Sequence, residues 1–187
     1  GTGIASPLVS QDYGIVPDAT LLAYQSIDST SYAGKDCPMK AGALPTDLSS
    51  LVNQAINDGA SIVNFSASSS MRGADLKWAI ARAMSQGVII TASVGNGGAD
   101  ENESHLSRWS GVVGVSAIDT DGKFASYSSW GQGVTTTAVG GPFVERNISD
   151  GKIGSTQGTS YSAPIVAGAL AQARAKWPNA TANQLLQ

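Results

Sequence analysis

Ser160 stands in the run Gly158-Thr159-Ser160-Tyr161-Ser162-Ala163-Pro164, just ahead of Ile165, Val166, Ala169, Leu170 and Ala173, which repeat at helical spacing. A serine near a helix N-terminus meets unpaired backbone N–H groups and the positive end of the dipole, which suits a nucleophile whose reaction builds an oxyanion. Asn96, held among glycines in Gly95-Asn96-Gly97-Gly98, offers a side-chain amide for the same charge. Singly, each has a plainer explanation: Ser160 as a helix cap, Asn96 as a left-handed turn residue, Ser66-Ala67-Ser68-Ser69-Ser70 as an ordinary loop. Their chemistry depends on convergence.

The elements around them supply that convergence. Leu48, Leu51, Val52, Ala55 and Ile56 predict an amphipathic helix over Asp47 to Gly59, with Thr46 as cap and Gly59 as stop. Ile62-Val63-Asn64-Phe65 reads as a strand, Leu76, Ala79, Ile80, Ala83 and Met84 as a helix ending at Gly87, and Val88 to Ala92 as a strand again. With an earlier strand over Ala19 to Tyr24 the order is β-α-β-α-β, and short loops with apolar strands predict parallel pairing and right-handed crossovers. Further strands are expected at Val112 to Ile118 and Val134 to Ala138. A last long helix is expected from about Ser160 to Lys176, stopped by Trp177-Pro178, and another begins at Ala182 and runs toward Gln187. Pro164 reads as a first-turn proline that loses no helical hydrogen bond.

The fold class is therefore α/β, a three-layer sandwich with a mostly parallel sheet, in a single domain over residues 1–187. Ligands of such sheets bind beyond the carboxyl ends of the strands. Ser66 to Ser70 and Gly95 to Gly98 each follow a strand, and the helix carrying Ser160 starts near the same edge.

Composition narrows the field. With 11 Lys plus Arg against 14 Asp plus Glu, the net charge of −3 argues against a nucleic-acid partner. Apolar residues at 42% can fill a core, and no apolar stretch approaches the roughly 18 residues that cross a bilayer. A Cys/His metal site is remote with one cysteine, Cys37, and one histidine, His105. No cofactor is expected. Structural calcium is the one candidate ion, but Asp100-Glu101-Asn102-Glu103 lacks EF-hand spacing and reads as a solvated loop. Gly1-Thr2-Gly3-Ile4-Ala5-Ser6 departs from a dinucleotide fingerprint at Ser6, and Ser162 breaks any Gly-x-Ser-x-Gly elbow around Ser160.

Gly158-Thr159-Ser160-Tyr161-Ser162-Ala163-Pro164-Ile165-Val166-Ala167-Gly168 resembles the nucleophile motif of the subtilisin-like serine proteases, the subtilases. Ala92-Ser93-Val94-Gly95-Asn96-Gly97-Gly98 is similar to that family's oxyanion segment. Ile62 to Ser66 looks like the strand that lines its substrate groove, and Gly1 to Ser6 like the stretch that follows its catalytic histidine. The motifs run in family order over essentially the whole chain. The resemblance implies that Ser160 attacks the scissile carbonyl of a peptide or protein substrate, that Asn96 and the Ser160 N–H hold the oxyanion, and that Ser66, Ala67, Ser68, Ser93 and Gly95 bind substrate. It also implies a secreted or cell-surface location.

By the same resemblance the family's aspartate and histidine precede Gly1. The chain thus reads as a subtilisin-like domain truncated at its N-terminus, with the missing segment as a partner. Alone it should be nearly inactive, since loss of the base costs on the order of 10⁶ in turnover in this family. His105, in a polar loop, is not expected to replace that base. Two readings follow: part of an active endopeptidase, or a degenerate or truncated subtilase that holds peptides as an added strand without cleaving them. A histidine directly before Gly1 would favour the first. Cys37 is expected to pair with a cysteine of the missing segment. Asp100, Glu101 and Glu103 follow the oxyanion asparagine, and carboxylates there would favour a basic side chain before the cleaved bond, although salt screens exposed charge. Main-chain pairing with Ser66 to Ser68 should supply most of the affinity. Ala67 and Ser68 replace the family's usual Leu and Gly.

Overall fold

The computed structural model describes residues 2–24, 47–67, 73–100, 105–146 and 152–187. Strands β1 (Ile62–Phe65), β2 (Ile89–Ser93), β3 (Val112–Ile118) and β4 (Thr136–Val139) form one parallel sheet in that order. The register pairs Phe65 with Ala92, Ser93 with Val115 and Ile118 with Val139. All five residues of β2 are buried, as a strand covered on both faces must be.

Alternation along β2 assigns its faces. Ile90 and Ala92 pack with Val52 and Ile56 of helix α2 (Leu48–Asn57) and with Leu76, Ala79, Ile80 and Ala83 of helix α3 (Ala74–Ser85). Ile89 instead joins Val113, Val115, Ala138, Ala163 and Leu170, so the other face lies under helix α4 (Thr159–Lys176). These are the three layers expected. Because Ile80 is 3% exposed, truncating it to alanine would cost roughly 2–5 kcal/mol. Arg174 near the end of α4 donates to the Gly87 carbonyl at 2.8 Å, tying the third layer to the turn between α3 and β2.

Several local expectations differ. Ala19 to Tyr24 forms no strand: Leu21 and Leu22 are 45% and 40% exposed, and neither finds a ladder partner among the described residues. The cap of α2 is Asp47, whose carboxylate accepts the Ser50 N–H and hydroxyl, each at 2.9 Å, and the Ser49 hydroxyl. Thr46 lies outside the described residues. Helix α1 (Thr2–Val9) was not legible in Gly1 to Ser6, and the chain after it is fastened to α4 where Gln172 donates to the Ile15 carbonyl at 2.8 Å. An antiparallel hairpin, β5 (Phe143–Arg146) with β6 (Ile153–Thr156), also went unread, although Phe143-Val144 and Ile153 flank a turn signal at Ser149-Asp150-Gly151. The final helix is the single turn α5 (Ala182–Leu185), closed by a capping box between Thr181 and Gln184.

Candidate active site

Three chain segments meet at the carboxyl edge of the sheet. β1 delivers Ser66, β2 delivers Gly95 and Asn96, and α4 starts at Thr159. Asn96 Oδ1 accepts the Thr159 N–H and the Thr159 hydroxyl, each at 2.9 Å, and the Gly95 N–H donates to Thr159 Oγ1 at 3.2 Å. A backbone N–H can only donate, so this contact fixes the orientation of the amide and leaves Nδ2 as the free-facing donor. Asn96 is exposed while Thr159 is fully buried, which makes Thr159 the anchor and Asn96 the presented group. Gly158 makes a close approach to the amide: a Cβ there would lie 3.1 Å from Asn96 Nδ2, so a side chain would press on it. Gly95 has φ +108°, a turn conformation open to glycine that aims Asn96 out of β2.

The start of α4 has few donors to spare. Thr159 gives its N–H to Asn96, and Tyr161 gives its N–H to the Gly158 carbonyl at 3.0 Å. The Ser160 N–H keeps no acceptor among the described residues. It stands one residue from the Thr159 N–H that Asn96 holds, at the positive end of the dipole of an 18-residue helix with Arg174 and Lys176 in its last turn.

Pro164 is the sixth residue of α4, beyond the first turn where its missing N–H would be harmless. It deprives the Ser160 carbonyl of its helical donor. Ser66 replaces that donor: its hydroxyl gives a 2.8 Å bond to the Ser160 carbonyl. Behind it, Asn64 Nδ2 donates to Ser66 Oγ at 2.8 Å and Thr91 Oγ1 donates to Asn64 Oδ1 at 2.9 Å, so the relay is rooted in β2.

The Asn96 loop is laced to residues 127–130. The Ser129 N–H donates to the Gly95 carbonyl at 3.0 Å, the Gly97 N–H to Ser129 Oγ at 3.2 Å, the Gly98 N–H to the Tyr127 carbonyl at 2.9 Å, and the Trp130 N–H to the Ala99 carbonyl at 3.1 Å. On the other flank Tyr161 carries the hairpin, through a ring contact of 5.4 Å with Phe143 and a 3.1 Å bond between its hydroxyl and that of Thr156. Burial raises the pKa of the Tyr127 phenol, with the Gly158 N–H opposing and the Asp119 carboxylate adding to the rise.

A family model described as the Subtilase family (Peptidase S8) matches residues 1–187. The chain belongs to the subtilase family. It is 30% identical over 174 residues to a thermostable alkaline protease of Halalkalibacterium halodurans, covering 93% of this chain and 45% of that protein. Subtilisin DY of Bacillus licheniformis is 26% identical over 193 residues, covering 99% of this chain and 66% of that protein. This chain thus spans about half to two thirds of the length of these relatives. Among solved structures, a cold-adapted subtilisin-like serine proteinase superposes with a TM-score of 0.63 at 25% identity, covering 74% of this chain and 50% of that one. A lanthipeptide protease superposes at 0.70 with 23% identity, covering 92% and 62%, which bears on the fold alone.

In this subtilase chain Ser66 bonds to the Ser160 carbonyl, and Gly95 and Asn96 bond to Thr159, at the start of the same helix. Ala67 follows Ser66 and is exposed, Ser93 is buried at 3% exposure, and Ser68 lies outside the described residues. The acidic loop is less negative than its sequence: Asp100 pairs with Arg108 at 3.4 Å, and Arg108 also donates to Gln132 at 3.1 Å. Glu101, Glu103 and Cys37 lie outside the described residues, among which no three His, Cys, Asp or Glu side chains converge as a metal site. His105 opens the 3-10 turn Leu106–Arg108 that leads into β3. No helix among the described residues is long and apolar enough to cross a membrane. Sequence reading quoted Thr159 and Asn64 inside motifs without giving either a part in the site, and missed Tyr127, because their parts are hydrogen bonds to residues distant in sequence.

Proposed function

We propose that the protein containing this chain is a serine endopeptidase, residues 1–187 forming part of one peptidase domain, and that it cleaves peptide bonds through an acyl-enzyme on Ser160. The observation that supports this reading is the amide of Asn96, whose Oδ1 is held by the Thr159 N–H and hydroxyl so that Nδ2 is left as a donor next to the start of the Ser160 helix. Two preorganised donors on a rigid sheet edge stabilise the oxyanion that forms when Ser160 Oγ adds to the carbonyl. Attack requires a base to take the hydroxyl proton and later return it to the leaving amine, with a carboxylate to orient that base. Both come from a segment that precedes Gly1.

A substrate peptide lies alongside Ser66 and Ala67, as an added strand continuing the direction of β1. Gly95 and Ser93 support that wall from β2, while the part given to Ser68 rests on the sequence resemblance alone. Secretion suits this activity and the low charge of the chain, 13% Asp, Glu, Lys and Arg. The test is hydrolysis of a mixed peptide library by the full-length protein and its Ser160→Ala variant. Cleavage lost in the variant supports the reading. Cleavage retained removes Ser160 from the chemistry, and peptide binding without cleavage in both proteins makes this a holding module.

A further inference from the structure

Tyr127 joins the two halves of the oxyanion site through opposite ends of the same residue. Its main-chain carbonyl accepts the Gly98 N–H at 2.9 Å, in the loop that carries Asn96. Its phenol donates to the Gly140 carbonyl at 2.9 Å, and that carbonyl also accepts the Gly158 N–H at 2.8 Å, directly ahead of Thr159 and Ser160. Gly140 follows β4 and is tightly enclosed, for a Cβ there would sit 2.5 Å from Tyr127 Oη, 2.6 Å from Ala117 Cβ and 3.0 Å from Ser162 Oγ. The path from Asn96 to Ser160 through Tyr127 therefore runs through packed, hydrogen-bonded groups at each step.

We propose that Tyr127 is a positioning residue for the oxyanion site, its phenol holding the Gly158 backbone in place so that the Ser160 N–H keeps its spacing from Asn96 Nδ2. The proposal rests on the peptidase reading for its catalytic consequence and on geometry for the rest. The direct bond from Asn96 to Thr159 fixes one point of contact between loop and helix. The phenol supplies a second, through the Gly140 carbonyl that also accepts the Gly158 N–H, and two points resist the rocking that one permits. Donors misplaced by even a fraction of an ångström lose much of their hold on a transition state while barely affecting substrate binding.

The experiment uses the full-length protein and Tyr127→Phe, which removes one oxygen and keeps the ring. Turnover should fall about 3- to 30-fold with KM within about twofold. A peptide aldehyde, which mimics the tetrahedral oxyanion, should lose affinity by a similar factor, while the corresponding peptide acid should not. Backbone deuterium uptake at Gly158 and Thr159 should rise, with β3 unchanged as the internal control. Unchanged uptake at Gly158 overturns the proposal whatever the activity. Uptake that rises across β3 as well overturns it too, by making Tyr127 a general stability residue. A wild-type protein that cleaves nothing, yet shows the local rise in Tyr127→Phe, upholds the positioning role and rejects the peptidase reading instead.

Discussion

The Ser66 hydroxyl donates to the main-chain carbonyl of Ser160 at 2.8 Å, linking residues 94 positions apart. The bond exists because Pro164, four residues after Ser160, has no N–H to offer that carbonyl. A helix defect is thereby converted into a tether between the sheet edge and the proposed nucleophile.

Removing the tether should cost stability, because the carbonyl is partly buried and would lose its donor. Ser66→Ala is expected to destabilise by roughly 1–3 kcal/mol in denaturant unfolding of the full-length protein. Adding Pro164→Ala restores a helical N–H at the right position, so the double variant should recover part of the loss. Strict additivity of the two substitutions would show that the carbonyl is not their shared partner.

At Asn96 the two ends of one amide have different duties. Asn96→Ala should lower turnover on the order of 10² to 10³, the loss known for removal of the oxyanion-hole asparagine in subtilisin itself, with KM little changed. Asn96→Asp keeps an acceptor for Thr159 but replaces the outward donor with an oxygen. Steady-state kinetics should therefore show Asn96→Asp at least as impaired as Asn96→Ala, and near-normal turnover in the aspartate variant would assign the residue an anchoring role only.

The cap of α2 predicts a pH effect with a definite sign. Hydrogen bonds from the Ser49 hydroxyl and the Ser50 N–H and hydroxyl lower the Asp47 pKa from 3.8 to about 2. A lowered pKa means that the stabilisation is complete above the unfolded value near 3.8 and is lost as pH falls toward 2. Melting temperature between pH 4 and 2 should drop less steeply in Asp47→Asn than in the wild type, since asparagine caps without titrating. Equal slopes would exclude Asp47 from the acid response.

The parallel sheet and its helices were legible because each element carries its own period: Val52, Ala55 and Ile56 in one case, the apolar run Ile89 to Ala92 in another. The site was legible in part for a different reason. Gly158 sits close to the Asn96 amide and Gly95 turns the chain at φ +108°, and a glycine next to each functional residue leaves a local trace. Ala19 to Tyr24 misled because a short apolar run makes a strand only beside a ladder partner, and the described residues offer it none. Pro164 misled because it reads as a first-turn proline, whereas an i to i−4 bond pairs its position with the Ser160 carbonyl whether the helix starts at Thr159 or Ser160. Tyr127 and Asn64 act through single long-range hydrogen bonds, which have no period and no composition.

The most direct measurement is covalent: the full-length protein is treated with a fluorophosphonate, which bonds to a serine only when a base activates it and an oxyanion site receives the charge. After digestion, mass mapping should find one equivalent of adduct on Ser160, and Asn96→Ala should slow the labelling rate without moving the site. A folded full-length protein that remains unlabelled at Ser160, or is labelled at another serine, would contradict the account.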